Sequence, residues 1–254
     1  MFSLDLESAQ PERDLLIAEL FDAGCNGINE INDFSLRAFF DDEKDAQASQ
    51  ARFGGTIQAA DERDWVTEAQ RGWEPQLVGN RFFLVPQWRD DPTPPNRFRI
   101  MVNNGLAFGT GKHETTRLCL TLLEKVVKPG MTVLDIGTGS GILSQAALHL
   151  GAACIFACDI DHTAVEIAIL NGIDAFTGSA EAIRSGIADV LVANISPEAI
   201  TAMRAEVPRL LKPGGTAILS GLELHDDVPF EPVEVLIEGN WKALLVTGTL
   251  VPPV

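Results

Sequence analysis

The chain has 254 residues, room for one large domain or for a small domain beside a medium one. Apolar residues make up 46% and charged residues 22%, as in a globular protein with a packed core, and no run is long and apolar enough for a transmembrane helix. The formal charge of −17 repels a polyphosphate backbone and attracts cations, so nucleic acid is not expected as a direct substrate and a basic partner is favoured.

The N-terminus lacks the basic segment and apolar run of a signal peptide, and with no membrane segment a cytoplasmic location is expected. "FSLDLE" alternates like a strand, and Pro11 is placed to open a helix through Phe21 that ends at Gly24. "GINEIN" and "SLRAFF" read as two strands joined by a turn near Asp33. Residues 1–56 are thus expected to form a small α+β, ferredoxin-like unit. The polar stretch Asp41–Gly55 reads as a joint at its end, and "RDDPTPPN" (89–96) as another, since its prolines preclude regular structure. Residues 57–96 then form a linker, with a helix marked by the spacing of Trp65, Ala69 and Trp73.

Residues 97–254 read as strands alternating with helices. Thr115–Val127 has a helical period, "MTVLDIG" is a buried strand, and Ile142–Leu150 is a helix. "CIFACDI" and the helix His162–Leu170 follow, then the strand "ADVLVANI", a helix from Pro197 to about Leu211, and the strand "TAILSG" after the turn "KPGG". "VEVLIE" and "KALLVTGTL" finish the pattern as strands. Near-continuous apolar strands between helices imply a parallel sheet covered on both faces, a doubly wound α/β domain. Cys25 and Cys119 are isolated, and Cys154 and Cys158 have no second pair, so reduced thiols and no metal site are expected.

Gly137, Gly139 and Gly141 in "VLDIGTGSG" follow a buried strand and open a helix, where glycine permits a tight turn and a close approach to a ligand. Asp159 stands at the tip of the next strand, placed to accept hydrogen bonds from both hydroxyls of a ribose. A dinucleotide turn has the spacing G-x-G-x-x-G. Here it is G-x-G-x-G, preceded by Asp135, an anion that disfavours a pyrophosphate and suits an ammonium and a sulfonium. The nucleoside cofactor expected is therefore S-adenosylmethionine, with S-adenosylhomocysteine as product; an NAD-dependent oxidoreductase is the alternative on the same fold.

"AFGTGKHETT" (107–116) has the ingredients of a phosphate loop but fails its spacing, because Leu106 and His113 occupy the decisive positions. The other histidines, His149, His162 and His225, are scattered and offer no metal or nucleophile constellation. Lying just ahead of the cofactor strand, the loop is expected to close over the methionine end of the cofactor through Gly109 and Thr110, with Phe108 as an apolar wall. The competing reading is a turn with a helix cap at Thr115.

"GWEPQLVGNRFFLVPQW", "NNGLAFGTGKHETT", "VLDIGTGSGIL", "ACDID", "VANI" and "LLKPGG" together resemble the ribosomal protein L11 methyltransferase family over Trp65–Gly221. The resemblance implies a class I S-adenosylmethionine-dependent methyltransferase fold, Rossmann-like, with a mostly parallel seven-stranded sheet. It also implies a small N-terminal substrate-recognition domain and a large-subunit ribosomal protein methylated on amino groups. Carried over, Phe108, Thr116, Gly137, Asp159 and Asn194 match cofactor-binding positions, beside which Asp135, Gly139, Gly141 and Ile160 are expected to line the same site. The sequence departs from the family at Lys112 and at Ser196 in "NIS".

Methyl transfer from a sulfonium is an in-line displacement that needs an aligned, neutral amine. The Asn194 side chain and the Ile195 carbonyl are the expected catalytic oxygens; Glu114 and His113 are candidate bases. A small-molecule acceptor and a non-catalytic cofactor-binding paralogue are the other readings the residues leave open.

Overall fold

The computed structural model describes residues 1–7, 13–32, 34–59, 73–102 and 113–247. Two compact units divide the chain, Met1–Trp73 and Glu74–Val254. In the first, β1 (Phe2–Glu7), α1 (Arg13–Asp22), β2 (Gly27–Asn32), β3 (Ser35–Phe40), α2 (Glu43–Phe53) and β4 (Thr56–Ala59) follow in turn. The sheet order is β2-β3-β1-β4 with every neighbouring pair antiparallel, the split β-α-β-β-α-β arrangement of a ferredoxin-like unit. Alternation in β1 and β3 sends Leu4, Leu6, Leu36, Ala38 and Phe40 to one face, where Leu20, Cys25 and Ala46 cover them. Each fully buried leucine or phenylalanine contributes about 1.5–3 kcal/mol.

The stretch expected as a joint, Asp41–Gly55, is instead largely α2. Asp42 caps it by accepting from the Lys44 N–H, and Gly54 (φ 79°) ends it. Its buried residues are only Ala46 and Ser49, too small to announce a core-facing helix in the sequence. The boundary expected at 56 falls at β4, which pairs with β1. Pro11, Asp33, Trp65 and Ala69 lie outside the described residues; Trp73 is buried.

The second unit opens with a three-stranded sheet absent from the sequence reading: β5 (Gln76–Val78), β6 (Phe82–Pro86) and β7 (Phe98–Val102), in that order. All of β6 is buried, and β7 runs parallel to it. Between them the proline-rich stretch is irregular, as expected, but it lies inside the unit and the expected boundary at 96 does not separate anything. Arg99 braces this bend by donating to the carbonyls of Asp91 (2.5 Å) and Arg89 (2.9 Å).

The main sheet contains β8 (Thr132–Ile136), β9 (Cys154–Asp159), β10 (Ala175–Thr177), β11 (Ala188–Asn194), β12 (Leu211–Glu223), β13 (Glu234–Glu238) and β14 (Trp241–Thr247). Their order is β10-β9-β8-β11-β12-β14-β13, and β14 is antiparallel to both its neighbours. The helices are α3 (Glu114–Val126), α4 (Ile142–His149), α5 (His162–Leu170), α6 (Pro197–Ala202) and α7 (Glu206–Leu210). The single helix expected from Pro197 to Leu211 is thus two. Continued, it would set the Pro208 ring against the Arg204 carbonyl and leave that carbonyl without its donor; restarting at Glu206 puts Pro208 in a first turn, where no N–H is needed. "KPGG" lies within β12 as an irregularity in its pairing with β11, not before the strand. The short edge strand β10 was also not anticipated.

Asp189, at the start of β11, ties three strands together. Its Oδ2 accepts from Lys212 Nζ of β12 (2.6 Å) and from the Thr132 N–H of β8 (2.8 Å). Burial alone would raise its pKa, but these two bonds hold it below the ordinary carboxylate value. A carboxyl whose folded pKa is depressed stabilises the fold above its unfolded pKa and loses that contribution as pH falls through the folded value. Asp189→Asn is expected to cost about 1 kcal/mol at neutral pH. Urea denaturation across a pH series should show the difference from wild type shrinking below about pH 4.

Candidate functional site

The chain runs outward from β8 to β9 and β10, then returns to β11 on the other side of β8. That reversal opens a crevice at the carboxyl ends of β8 and β11. Gly137, Gly139 and Gly141 follow β8 with φ of 70°, 53° and 80°, a turn that only glycine adopts without strain. The Gly137 and Thr138 N–H groups donate to the Cys158 carbonyl (2.9 and 3.0 Å), and the Gly139 N–H to Asp159 Oδ2 (2.9 Å). Asp159 Oδ1 accepts from the Asp161 N–H (3.0 Å), and Asp161 caps α5. Each Asp159 oxygen has thus accepted one backbone donor and keeps a further lone pair, on a residue only partly buried. Next to it, the large apolar side chain of Ile160 is 82% exposed.

Asp135 lies inside β8, as the sequence placed it, but it is wholly buried beneath the turn, so it offers no anion to a ligand at the mouth. Its Oδ2 accepts from Thr138 Oγ1 (2.8 Å), Ser144 Oγ (2.6 Å) and the Ser144 N–H (3.1 Å), while Oδ1 has no partner. Burial pushes its pKa up, partly offset by these bonds, with the Asp159 charge raising it further. The carboxylate therefore binds the turn to the start of α4. Its neighbours Cys119 and Cys158 are pushed up to about 12 by burial, which leaves both thiols protonated and unreactive.

Across the crevice, Asn194 ends β11 and donates from Nδ2 to Oγ1 of buried Thr116 in the first turn of α3 (3.5 Å). Ile195 packs against both walls. A Cβ on Gly137 would lie 2.3 Å from its Cγ2, and a Cβ on Gly221 only 2.1 Å from its carbonyl oxygen. Gly221 (φ 90°) was missed in the sequence, where it was simply the end of an apolar strand. The helix cap is His113 rather than Thr115: its ring nitrogen Nδ1 meets the Thr115 N–H (3.4 Å) and Oγ1 (2.8 Å). Glu114, the other candidate base, sits below its ordinary pKa because backbone hydrogen bonding at the helix start outweighs burial, with Arg117 and His113 adding to the effect. A carboxyl so stabilised as its anion is a poor proton acceptor. Phe108, Gly109, Thr110 and Lys112 lie outside the described residues. No cluster of His, Cys, Asp or Glu suited to a metal occurs among the described residues, nor is any helix there long and apolar enough to cross a membrane.

One antiparallel strand in a seven-stranded doubly wound sheet, with its glycine turn braced on an acidic strand tip, defines a class I S-adenosylmethionine-dependent methyltransferase. The family model for ribosomal protein L11 methyltransferase (PrmA) matches residues 13–229, and the chain belongs to that family. It is 38% identical over 208 residues to the ribosomal protein L11 methyltransferase of Bacillus cytotoxicus, covering 75% of this chain and 67% of the relative. With that of Burkholderia lata it shares 42% over 171 residues, covering 66% of this chain and 57% of the relative. The matched stretch therefore spans about two thirds or less of these relatives. A crystal structure of ribosomal protein L11 methylase from Lactobacillus delbrueckii subsp. bulgaricus superposes with a TM-score of 0.61 at 26% identity, covering 68% of this chain and 97% of that one. Membership in a methyltransferase family sets the oxidoreductase alternative aside.

Gly221→Ala tests the packing at the crevice. A side chain there must displace the Ile195 carbonyl and adopt a positive φ, so the variant is expected to lose about 1–3 kcal/mol of stability. Thermal unfolding should show a lower midpoint, and S-adenosylmethionine affinity should fall with it.

Proposed function

We propose that the protein transfers methyl groups from S-adenosylmethionine to amino groups of a basic protein, a large-subunit ribosomal protein of the L11 type, and that the Met1–Trp73 unit recognises that substrate. The observation that supports this reading most directly is the Gly137–Gly141 turn braced on Asp159, with Asn194 at the end of the adjoining strand β11. The residues fit the cofactor. Asp159 has lone pairs left for two ribose hydroxyls, Ile160 offers an apolar surface to a flat base, and glycine backbone without side chains faces the remainder. The cofactor supplies an electrophilic methyl group on a sulfonium.

The chain's own task is to align an amine. The Asn194 side chain gives its Nδ2 to Thr116, which turns the amide so that Oδ1 is left to accept an N–H. The Ile195 carbonyl is the second acceptor, set in place by the Ile195 N–H donating to the Ser220 carbonyl (3.1 Å). Two accepted N–H bonds fix the direction of the amine lone pair, and any desolvation of the amine on binding favours its neutral form over the ammonium. With Glu114 held as a stable anion and His113 used as a cap, proton loss to solvent before attack accounts for the chemistry without a dedicated base. The net charge of −17 suits a cationic protein substrate.

Incubating the protein with methyl-labelled S-adenosylmethionine and purified large-subunit ribosomal proteins should label an L11-type protein. Asn194→Ala should lower kcat by about 10²-fold through misalignment, with cofactor affinity reduced much less. Label entering only small molecules or RNA would overturn the protein-methylating half of the reading.

A further inference from the structure

The turn joining β13 to β14 has no place in the chemistry above, yet it grips the start of α3 at two points. Trp241, the first residue of β14, receives the His113 ring edge-on, with centroids 4.5 Å apart and planes at 70°. Glu238, the last residue of β13, accepts from Arg117 through Nε (2.8 Å) and a terminal nitrogen (2.7 Å). Arg117 adjoins Thr116, the residue that meets Asn194. The first turn of a helix has no intrahelical partners for its N–H groups and frays unless capped or packed. Here the cap is His113 itself, whose Nδ1 is already engaged by Thr115. Farther along α3, Lys125 pairs with Glu234 of β13, so the strand follows the helix along its length.

We propose that His113, Trp241 and the Arg117–Glu238 pair are positioning residues for methyl transfer. They fix the first turn of α3 and thereby the Thr116–Asn194 contact, with His113 serving as a helix cap rather than a proton acceptor. The inference rests on the methyltransferase reading and adds to it a dependence on the C-terminal hairpin. If only the fraction of molecules with an ordered first turn is competent, loosening the turn lowers the rate in proportion to that fraction.

The test compares His113→Ala, His113→Asn and Glu238→Gln in the full-length protein, with steady-state kinetics on purified L11-type protein and thermal unfolding of each variant. Asparagine caps helices but is no base at neutral pH. His113→Ala is expected to lower kcat roughly fivefold, in line with the loss of one cap, and His113→Asn to recover to within about twofold of wild type. Glu238→Gln, a half-exposed change that should fold normally, is expected to lower kcat about two- to fivefold with KM for the protein substrate little changed. If asparagine is as defective as alanine, capping is not what His113 contributes and the proposal fails. Unchanged kcat in all three variants also overturns it. Absence of methyl transfer by the wild-type protein overturns the methyltransferase reading itself, a result separate from either.

Discussion

The second unit depends on one arrangement, the bonding of the Gly137–Gly139 backbone to the tip of β9. Three successive N–H groups, those of Gly137, Thr138 and Gly139, are taken by the Cys158 carbonyl and the Asp159 carboxylate. A turn with positive φ has no helical or sheet ladder to satisfy these donors, and burying them unpaired would cost about 1–3 kcal/mol each. Pairing them with the neighbouring strand stiffens the turn and at the same time aims Asp159. The residue expected to read the ribose is thereby also the residue that takes the Gly139 N–H.

Beneath that turn the structure carries an electrostatic cost. Asp135 is fully buried, and its raised pKa means that its ionised form opposes folding as pH rises through the interval between its ordinary and its folded values. Three donated hydrogen bonds from Thr138 and Ser144 reduce that cost and clamp the turn to α4. The crevice is thus bounded by backbone fixed from below by Asp135, from the β9 side by Asp159, and from the β11 side by Ile195.

Much of the fold was legible because its signals are strong and local. Apolar runs such as "TVLDI" and "ADVLVAN" mark buried parallel strands, and the helices at His162 and Pro197 begin where the sequence placed them. The failures have physical causes. α2 buries only Ala46 and Ser49 and so shows no apolar stripe, while the α6–α7 break depends on Pro208, whose effect lies four residues upstream. β5 to β7 escaped notice because each is only three to five residues long and no helix lies between them. At the site, the Gly139 N–H meets Asp159 and Asn194 meets Thr116, and of these Asp159, Thr116 and Asn194 are positions that the family resemblance had singled out as cofactor-binding. The burial of Asp135 and the closeness of Gly221 to Ile195 are tertiary facts with no counterpart in local spacing, while the cap at His113 is local but is not one of the usual capping residue types.

The central claim is that this crevice is a nucleoside site for a sulfonium cofactor, hung on Asp159. Isothermal titration calorimetry of the wild-type protein and Asp159→Ala with S-adenosylmethionine, S-adenosylhomocysteine and NAD tests it directly. The account predicts one-to-one binding of the two sulfur cofactors to the wild type, none of NAD, and loss of binding in the variant with the fold retained by circular dichroism. Binding of NAD in place of S-adenosylmethionine, or undiminished binding by Asp159→Ala, would contradict it.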